Sequence, residues 1–162
     1  MSGCVVSVNV AEAKGVRKTP CDEIVLVADH GVDGDGHAGP WHRQVSLLAQ
    51  ESIDTMRARG LEVGPGDFAE NVTTEGVEVA TLPVGSRLRL GETRVEVTQI
   101  GKVCHDRCAI FYQAGDCVMP REGIFARVLE GGRLRAGDEV VVEELGSGPQ
   151  PPHGRPLDEV EV

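Results

Sequence analysis

The chain has 162 residues, of which 40% are hydrophobic, and its formal net charge is −10. This length suits a single domain with a hydrophobic core of its own. An acidic surface repels the phosphates of nucleic acids and the head groups of anionic lipids, so we expect neither as a partner. The sequence shows no apolar run long enough for a membrane span and no secretory signal. We therefore expect a cytoplasmic location, where thiols stay reduced.

Valine-rich runs separated by glycine and proline predict a mostly β fold. The first strand is predicted over Cys4–Val10, and a second, buried strand over Glu23–Asp29. Glycine and aspartate in His30–Arg43 favour turns over regular structure, so we expect a long loop there. Further along the chain, Ser86–Val97 is predicted to form a β-hairpin that turns around Gly91.

Two segments have the pattern of short helices. Apolar residues recur at helical spacing in Gln44–Gly60, and the glycine at its end can stop the helix. Pro120–Gly132 is predicted as the second helix, because proline suits a first helical turn and the apolar residues form one face.

The C-terminal part combines a strand with a polar tail. The last strand is predicted over Asp138–Leu145, whereas residues 146–162 have too little apolar surface to pack and are expected to be disordered. The elements together predict a single-domain β-barrel over residues 1–145, with two or so short helices. A closed or nearly closed barrel buries many short strands without leaving open sheet edges.

Three of the five cysteines, Cys104, Cys108 and Cys117, lie in one short stretch of the chain. A reducing compartment and an odd number of cysteines argue against a disulfide. The three thiols and His105 could hold zinc, although their spacing lacks the second close pair of a zinc ribbon. Alternatively, nearby cations such as Lys102 could lower the pKa of one thiol, which could then carry a persulfide or ligate molybdenum. The residues alone leave these interpretations open.

The loop from His30 to Arg43 allows three further interpretations. It does not fit the EF-hand pattern for calcium. Asp35, His37 and His42 could form a transition-metal site, or Arg43 and glycine-rich backbone amides could bind an anion. Alternatively, the aspartates could only form turns by hydrogen-bonding to their own backbone.

Four stretches of the chain, in this order, resemble the MOSC domain, a module also found at the C-terminus of molybdenum cofactor sulfurases. They are Gly31–Ile53, Gly66–Val77, Leu82–Ile110 and Gly115–Val140. The resemblance runs from about Val5 to Glu144 and is to the small stand-alone bacterial type. It implies a strand-rich barrel, a link to the molybdenum cofactor (molybdopterin) and a functional cysteine after the central hairpin.

The resemblance also implies which residues form the site. Cys104 directly follows the hairpin strand and is the first candidate for the catalytic cysteine, and for the molybdenum ligand if the metal is bound. Cys108 is the second, because other members carry a pair like Arg107-Cys108. The residues expected to bind the cofactor are Asp35, His37, Arg43, Glu70, Asn71, Lys102 and Arg107. Its phosphate is expected to meet Arg43 and the basic loop that holds Lys14, Arg17 and Lys18.

The function implied is that the protein binds the molybdenum cofactor, or carries sulfur as a cysteine persulfide for delivery to a metal centre. The chain shows no PLP-dependent desulfurase domain. We therefore expect a cysteine desulfurase or another sulfur donor as one partner, and a molybdoenzyme or a cofactor-biosynthesis protein as the other. The alternatives are a molybdenum-dependent reductase of N-hydroxylated compounds and a non-catalytic zinc-binding interaction module.

Overall fold

The structure, a computed structural model, describes residues 2–13, 16–101 and 123–148. The strands in these ranges are β1 (Ser2–Val10), β2 (Thr19–Cys21), β3 (Glu23–Val27), β4 (Gly31–Val32), β5 (Val45–Ala49), β6 (Val72–Glu75), β7 (Arg87–Leu90), β8 (Thr93–Ile100), β9 (Ile124–Glu130), β10 (Gly132–Arg135) and β11 (Glu139–Glu144). The helix α1 spans Gln50–Ala58, and a single 3-10 turn spans Val79–Thr81. No helix in the described ranges is long and apolar enough to cross a membrane.

Seven strands close into a barrel, which confirms the predicted fold class. Their order is β11-β7-β8-β9-β5-β6-β1, and β1 pairs back onto β11. Neighbouring strands run antiparallel except β5 and β6, which are parallel. Strand β2 extends the sheet beside β1, and β10, β3 and β4 form a second, smaller sheet.

Alternation of side chains along the strands divides the apolar residues into two cores. Inside the barrel, aliphatic side chains such as Val97 and Ile124 are fully buried. Outside the barrel, Ile53 and Met56 of α1 pack with Phe125 of β9. Strand β5 therefore has both faces covered, and all its residues are buried.

The prediction of a second helix over Pro120–Gly132 is wrong. Its part Ile124–Glu130 forms strand β9, which lies between β5 and β8 in the barrel, while Pro120 lies outside the described residues. A short apolar run fits the period of a helix or of a strand, and pairing on both sides decides in favour of the strand. The described chain thus has one α-helix, and this helix begins at Gln50 because Val45–Ala49 forms β5.

Other elements agree with the sequence more closely. The hairpin is confirmed, with Leu90 of β7 opposite Thr93 of β8 and Gly91 in the turn at φ +58°. The predicted last strand is β11. Strand β3 ends at Val27 and has one exposed face, so it is less buried than expected. Of the tail, Gly148 donates its N–H to the Val84 carbonyl at 2.9 Å, and residues 149–162 lie outside the described part.

A matched pair of valine substitutions tests which face of each strand is packed. Val97 is fully buried in the barrel, whereas Val25 on β3 is 39% exposed. We expect Val97→Ala to lower the free energy of unfolding by about 2 kcal/mol, because two methyl groups leave a cavity. The same change at Val25 is expected to cost below about 0.5 kcal/mol. Urea denaturation measures both values, and equal losses would contradict the assignment of faces.

Candidate functional site

A row of side chains crosses the outer wall of the barrel from β8 through β9 and β5 to the residue before β6, and on to β1. Register places Gln99 opposite Phe125, and Phe125 opposite Ser46. Backbone hydrogen bonds continue the row from Ser46 to Asn71 and from Asn71 to Asn9. Because Phe125 packs with α1 outside the barrel, the side chains opposite it also face outward. We call these five residues the outer row.

A β-bulge puts Gln99 into the outer row. In a regular strand Gln99 would face the same side as Val97, which lies inside the barrel. The register of β8 against β9 shifts between Val97 and Gln99, and the extra residue is Thr98. The Thr98 hydroxyl lies between the backbone carbonyls of His42 and Phe125 and donates its hydrogen bond to them. The bulge therefore turns an amide outward at the end of β8.

The side chain of Asn71 makes structural hydrogen bonds between neighbouring strands. Its Oδ1 accepts hydrogen bonds from the backbone N–H and the hydroxyl of Ser46, at 3.0 and 3.2 Å, and its Nδ2 donates to the Asn9 carbonyl at 3.2 Å. The Asn9 amide in turn donates to the Glu70 carbonyl and the Thr73 hydroxyl. These bonds link β5, β6 and β1 and use the polar atoms of Asn71 within the protein.

Glu70 is a fully buried carboxyl with one satisfied oxygen. Its Oε2 accepts the Gly66 N–H at 3.0 Å and the Thr73 hydroxyl at 2.7 Å. Its Oε1 has no hydrogen-bond partner among the described residues. Burial raises the pKa of Glu70, although these hydrogen bonds act in the opposite direction. Glu70 therefore lies beneath the site surface, and its predicted contact with a cofactor stays a prediction.

Lys18 and Asp35 form an ion pair whose side chains are both fully buried. The Lys18 ammonium lies 2.7 and 2.9 Å from the two Asp35 oxygens and 3.1 Å from Nδ1 of His37. Asp35 also accepts the backbone N–H groups of Ala11 and His37. Burial alone would raise the pKa of Asp35, but hydrogen bonds from the Lys18 ammonium and from the backbone N–H groups of Ala11 and His37 hold it well below its ordinary value.

The basic loop is thus arranged differently from the phosphate-binding loop expected from the resemblance. The Lys18 ammonium points into the protein. Arg17 is half exposed and lies 3.5 Å from an Asp67 oxygen. Lys14 lies outside the described residues.

Gln99 organises a second cluster around Arg43. Its Oε1 accepts hydrogen bonds from Arg43 Nε at 2.9 Å and from His42 Nε2 at 2.8 Å. Because an arginine Nε–H only donates, the atom facing it is the amide oxygen, and His42 Nε2 must carry a hydrogen. The Gln99 amide nitrogen donates to the Gly101 carbonyl at 2.7 Å.

Trp41 connects the two clusters. Its indole N–H donates to the His37 carbonyl at 2.7 Å, and its ring meets that of His42 edge to face at 5.8 Å. The Arg43 guanidinium lies 5.8 Å from the Trp41 ring and 5.4 Å from the Phe125 ring, within reach of cation–π attraction. The contacts therefore form one connected set that includes Asp35, His37 and Arg43, whose predicted role in binding a cofactor stays a prediction.

The connected set ends where the cysteine-rich stretch begins. Gly101 donates its N–H to the Gly123 carbonyl at 2.7 Å, so the β8–β9 ladder continues one step beyond both strands. Residues 102–122 lie outside the described part. The predictions that fall there concern Lys102, Cys104, Arg107, Cys108 and Cys117, and they stay predictions.

Sequence reasoning missed the buried role of Lys18, the role of Gln99 and the bridging role of Trp41. A polar residue near the apolar end of β8 is a signal for Gln99, but it requires knowledge of the bulge. The transition-metal interpretation finds no support, because Lys18 occupies both Asp35 oxygens. Among the described residues, no three or more His, Cys, Asp or Glu side chains are arranged to hold a metal ion.

Removal of the buried ammonium tests the ion pair. We expect Lys18→Met to lower the free energy of unfolding by roughly 3–5 kcal/mol, because Asp35 is left as an unpaired buried charge. Arg17→Met removes the same charge from an exposed side chain and is expected to cost below about 0.5 kcal/mol. The double variant Lys18→Met/Asp35→Asn should regain most of the loss. Urea denaturation gives all three values, and a double variant that is no more stable than Lys18→Met would contradict the pairing.

The raised pKa of Glu70 predicts a pH dependence of stability. The folded protein binds the Glu70 proton more tightly than the unfolded chain, so this group stabilises the fold below its ordinary value of 4.5. The stabilisation is lost as the pH rises from 4.5 through the raised pKa. Glu70→Gln keeps an acceptor for Gly66 and Thr73 and removes the charge. We expect the variant to gain stability relative to the wild type across that window in urea denaturation. A constant difference at every pH would contradict this.

Comparison with known proteins identifies the family. The family model of the MOSC domain matches residues 33–141. Comparison with curated proteins gives no significant match. Solved structures with a similar fold include YuaD from Bacillus subtilis, at 17% sequence identity and a TM-score of 0.71, with 86% of this chain and 94% of that chain covered.

Two further similar structures carry the name YiiM. The protein from Geobacillus stearothermophilus has 23% identity and a TM-score of 0.68, with 90% of this chain and 77% of that chain covered. The protein from Escherichia coli has 22% identity and a TM-score of 0.61, with 91% and 70% covered. At these identities the structures support the fold. Since the family model spans well over half of the sequence, the chain belongs to the MOSC domain family, which is linked to the molybdenum cofactor.

Proposed function

We propose that this protein binds the molybdenum cofactor, or carries sulfur as a persulfide on Cys104 for delivery to a metal centre. The observation that carries the proposal is the position of Gln99. The side-chain oxygen of Gln99 accepts hydrogen bonds from Arg43 and His42, and its nitrogen donates to the carbonyl of Gly101, the residue before the cysteine-rich stretch. Cys104 stands three positions after Gly101 in the sequence.

The donors of the site fit an anionic group such as the cofactor's phosphate. The Arg43 guanidinium is oriented by Gln99 and lies beside two aromatic rings, an arrangement that suits recognition of a phosphate. The chain carries a net charge of −10, so its overall field repels anions. The attraction for an anion must come from a local cation such as the Arg43 guanidinium. When bound, the molybdenum would supply oxidation–reduction chemistry, and Cys104 is the soft ligand proposed for it.

Sulfur transfer requires a thiolate on Cys104 and an external donor. The thiolate attacks the terminal sulfur of a donor persulfide, a new S–S bond forms on Cys104, and the donor's S–S bond breaks. The donor leaves as a thiolate, the proton stays on the transferred sulfur, and no electrons enter or leave. Lys102 and Arg107 are proposed to stabilise the attacking thiolate. A cysteine desulfurase is the proposed donor, and a molybdoenzyme or cofactor-biosynthesis protein is the proposed recipient.

Metal analysis of the purified protein separates this proposal from its two alternatives. Molybdenum that co-purifies and supports turnover of an N-hydroxylated base with a reductant would indicate the reductase. One tightly held zinc per chain, lost on Cys108→Ser or Cys117→Ser, would indicate the zinc-binding module. The sulfur-carrier form of the proposal predicts neither result.

Persulfide formation is tested by intact mass spectrometry after incubation with a cysteine desulfurase and cysteine. We expect the protein to gain one sulfur atom and Cys104→Ser to lose this gain. Cys21→Ser is the matched control. Burial, and then the charge of Asp22, raises the pKa of the Cys21 thiol, so little thiolate forms there and the gain should persist. Full retention of the gain in Cys104→Ser would remove Cys104 from the role.

A further inference from the structure

We propose that Lys18 is a positioning residue, which holds the His37 ring so that its Nε2–H faces outward as a hydrogen-bond donor to an oxygen of a phosphate-type anion. The identity of that anion as the cofactor's phosphate rests on the proposed function. The arrangement of the ring does not, because it follows from contacts within the described chain.

The Lys18 ammonium is buried and paired within the protein. A fully buried lysine is rare unless it is paired, and Lys18 has a partner for each of its three protons. They are the two oxygens of Asp35, at 2.7 and 2.9 Å, and His37 Nδ1 at 3.1 Å. Lys18 therefore has no proton left for a ligand and acts only through its neighbours.

The contact with Lys18 determines which nitrogen of His37 carries the ring proton. An ammonium group has no lone pair and can only donate, so Nδ1 of His37 accepts and carries no hydrogen. The nearest Asp35 oxygen is 3.8 Å from Nδ1, beyond hydrogen-bond distance, and does not compete. The ring proton consequently lies on Nε2, which makes this atom a donor and not a metal ligand.

Backbone hydrogen bonds restrict the orientation of His37. The His37 backbone N–H donates to Asp35 Oδ2 at 3.0 Å, and its carbonyl accepts the Trp41 indole N–H at 2.7 Å. The residue is thus held at its backbone on both sides as well as at Nδ1. Its side chain is 15% exposed, and Nε2 makes no hydrogen bond within the described part of the chain. Of the two ring nitrogens, Nε2 is therefore the one left to donate to a ligand.

The charge and the donors around His37 indicate the class of ligand. The Lys18–Asp35 pair is neutral as a unit, so His37 adds a donor without adding a charge that must be desolvated. Trp41 places this donor in the same connected set as the Arg43 guanidinium. An N–H donor combined with a guanidinium suits an oxyanion with several acceptor oxygens, as in a phosphate.

The arrangement of the ring is tested by 15N NMR of the histidine side chains. Among the signals of the five histidines, those of His37 are identified by their loss in His37→Gln. We expect His37 to show a protonated Nε2 and an unprotonated Nδ1. In the folded, charge-balanced variant Lys18→Met/Asp35→Asn, both nitrogen shifts should move toward those of an unrestrained imidazole. Arg17→Met should leave them unchanged. A protonated Nδ1 in the wild type, or unchanged shifts in the double variant, would overturn the role of Lys18.

The ligand contact is tested by titration with inorganic phosphate and with phenyl phosphate. In a side-chain amide, the glutamine nitrogen can occupy the position of histidine Nε2, whereas asparagine is too short to do so. We expect His37→Gln to bind within about threefold of the wild type and His37→Asn to bind roughly tenfold more weakly. Equal losses in both variants, or no response of the His37 resonance to either anion, would overturn the donor role.

The two anions separate the sources of the phosphate. Tighter binding of phenyl phosphate supports a phosphate ester attached to a ring system, and equal binding supports free phosphate as the natural ligand. Failure of sulfur loading or of molybdenum retention would remove the proposed function. It would leave the NMR result on Lys18 and His37 intact, so the two failures are distinguishable.

Discussion

Closure of the barrel through the pairing of β1 with β11 is the constraint on which the site depends. Ser2, Gly3 and Cys4 lie opposite Val141, Val140 and Glu139. Because the ring is closed, each strand has one face toward the aliphatic interior and one toward the outside. The four polar side chains of the outer row therefore lie on the outer wall, together with Phe125.

Within this wall, two devices bring functional groups to the surface. The bulge at Thr98 redirects Gln99 from the barrel interior to the outside, and Gln99 then holds Arg43. The Lys18–Asp35 pair supports His37 from beneath. Both devices keep their own polar atoms satisfied within the protein, which lets them fix a neighbour's direction without competing for a ligand. The exposed groups are thus held by buried ones.

Much of the fold was readable from the sequence because local signals were strong. The alternation and glycine turn of the hairpin fixed β7 and β8, and the motif order identified the family. Strand β9 was misread because its short apolar run fits a helix equally well, and only its position between β5 and β8 decides. The pairing of Lys18 with Asp35 joins residues 17 positions apart through the packing of two loops. No periodicity encodes such a contact, and none encodes the bulge that turns Gln99 outward.

The bridging position of Trp41 has an optical consequence. The chain contains a single tryptophan, so its tryptophan fluorescence arises from one indole. That indole touches the His37 carbonyl on one side and the His42 ring and Arg43 guanidinium on the other. Any rearrangement in either half changes the polarity around the same fluorophore. The protein consequently carries an intrinsic, label-free reporter between its two clusters.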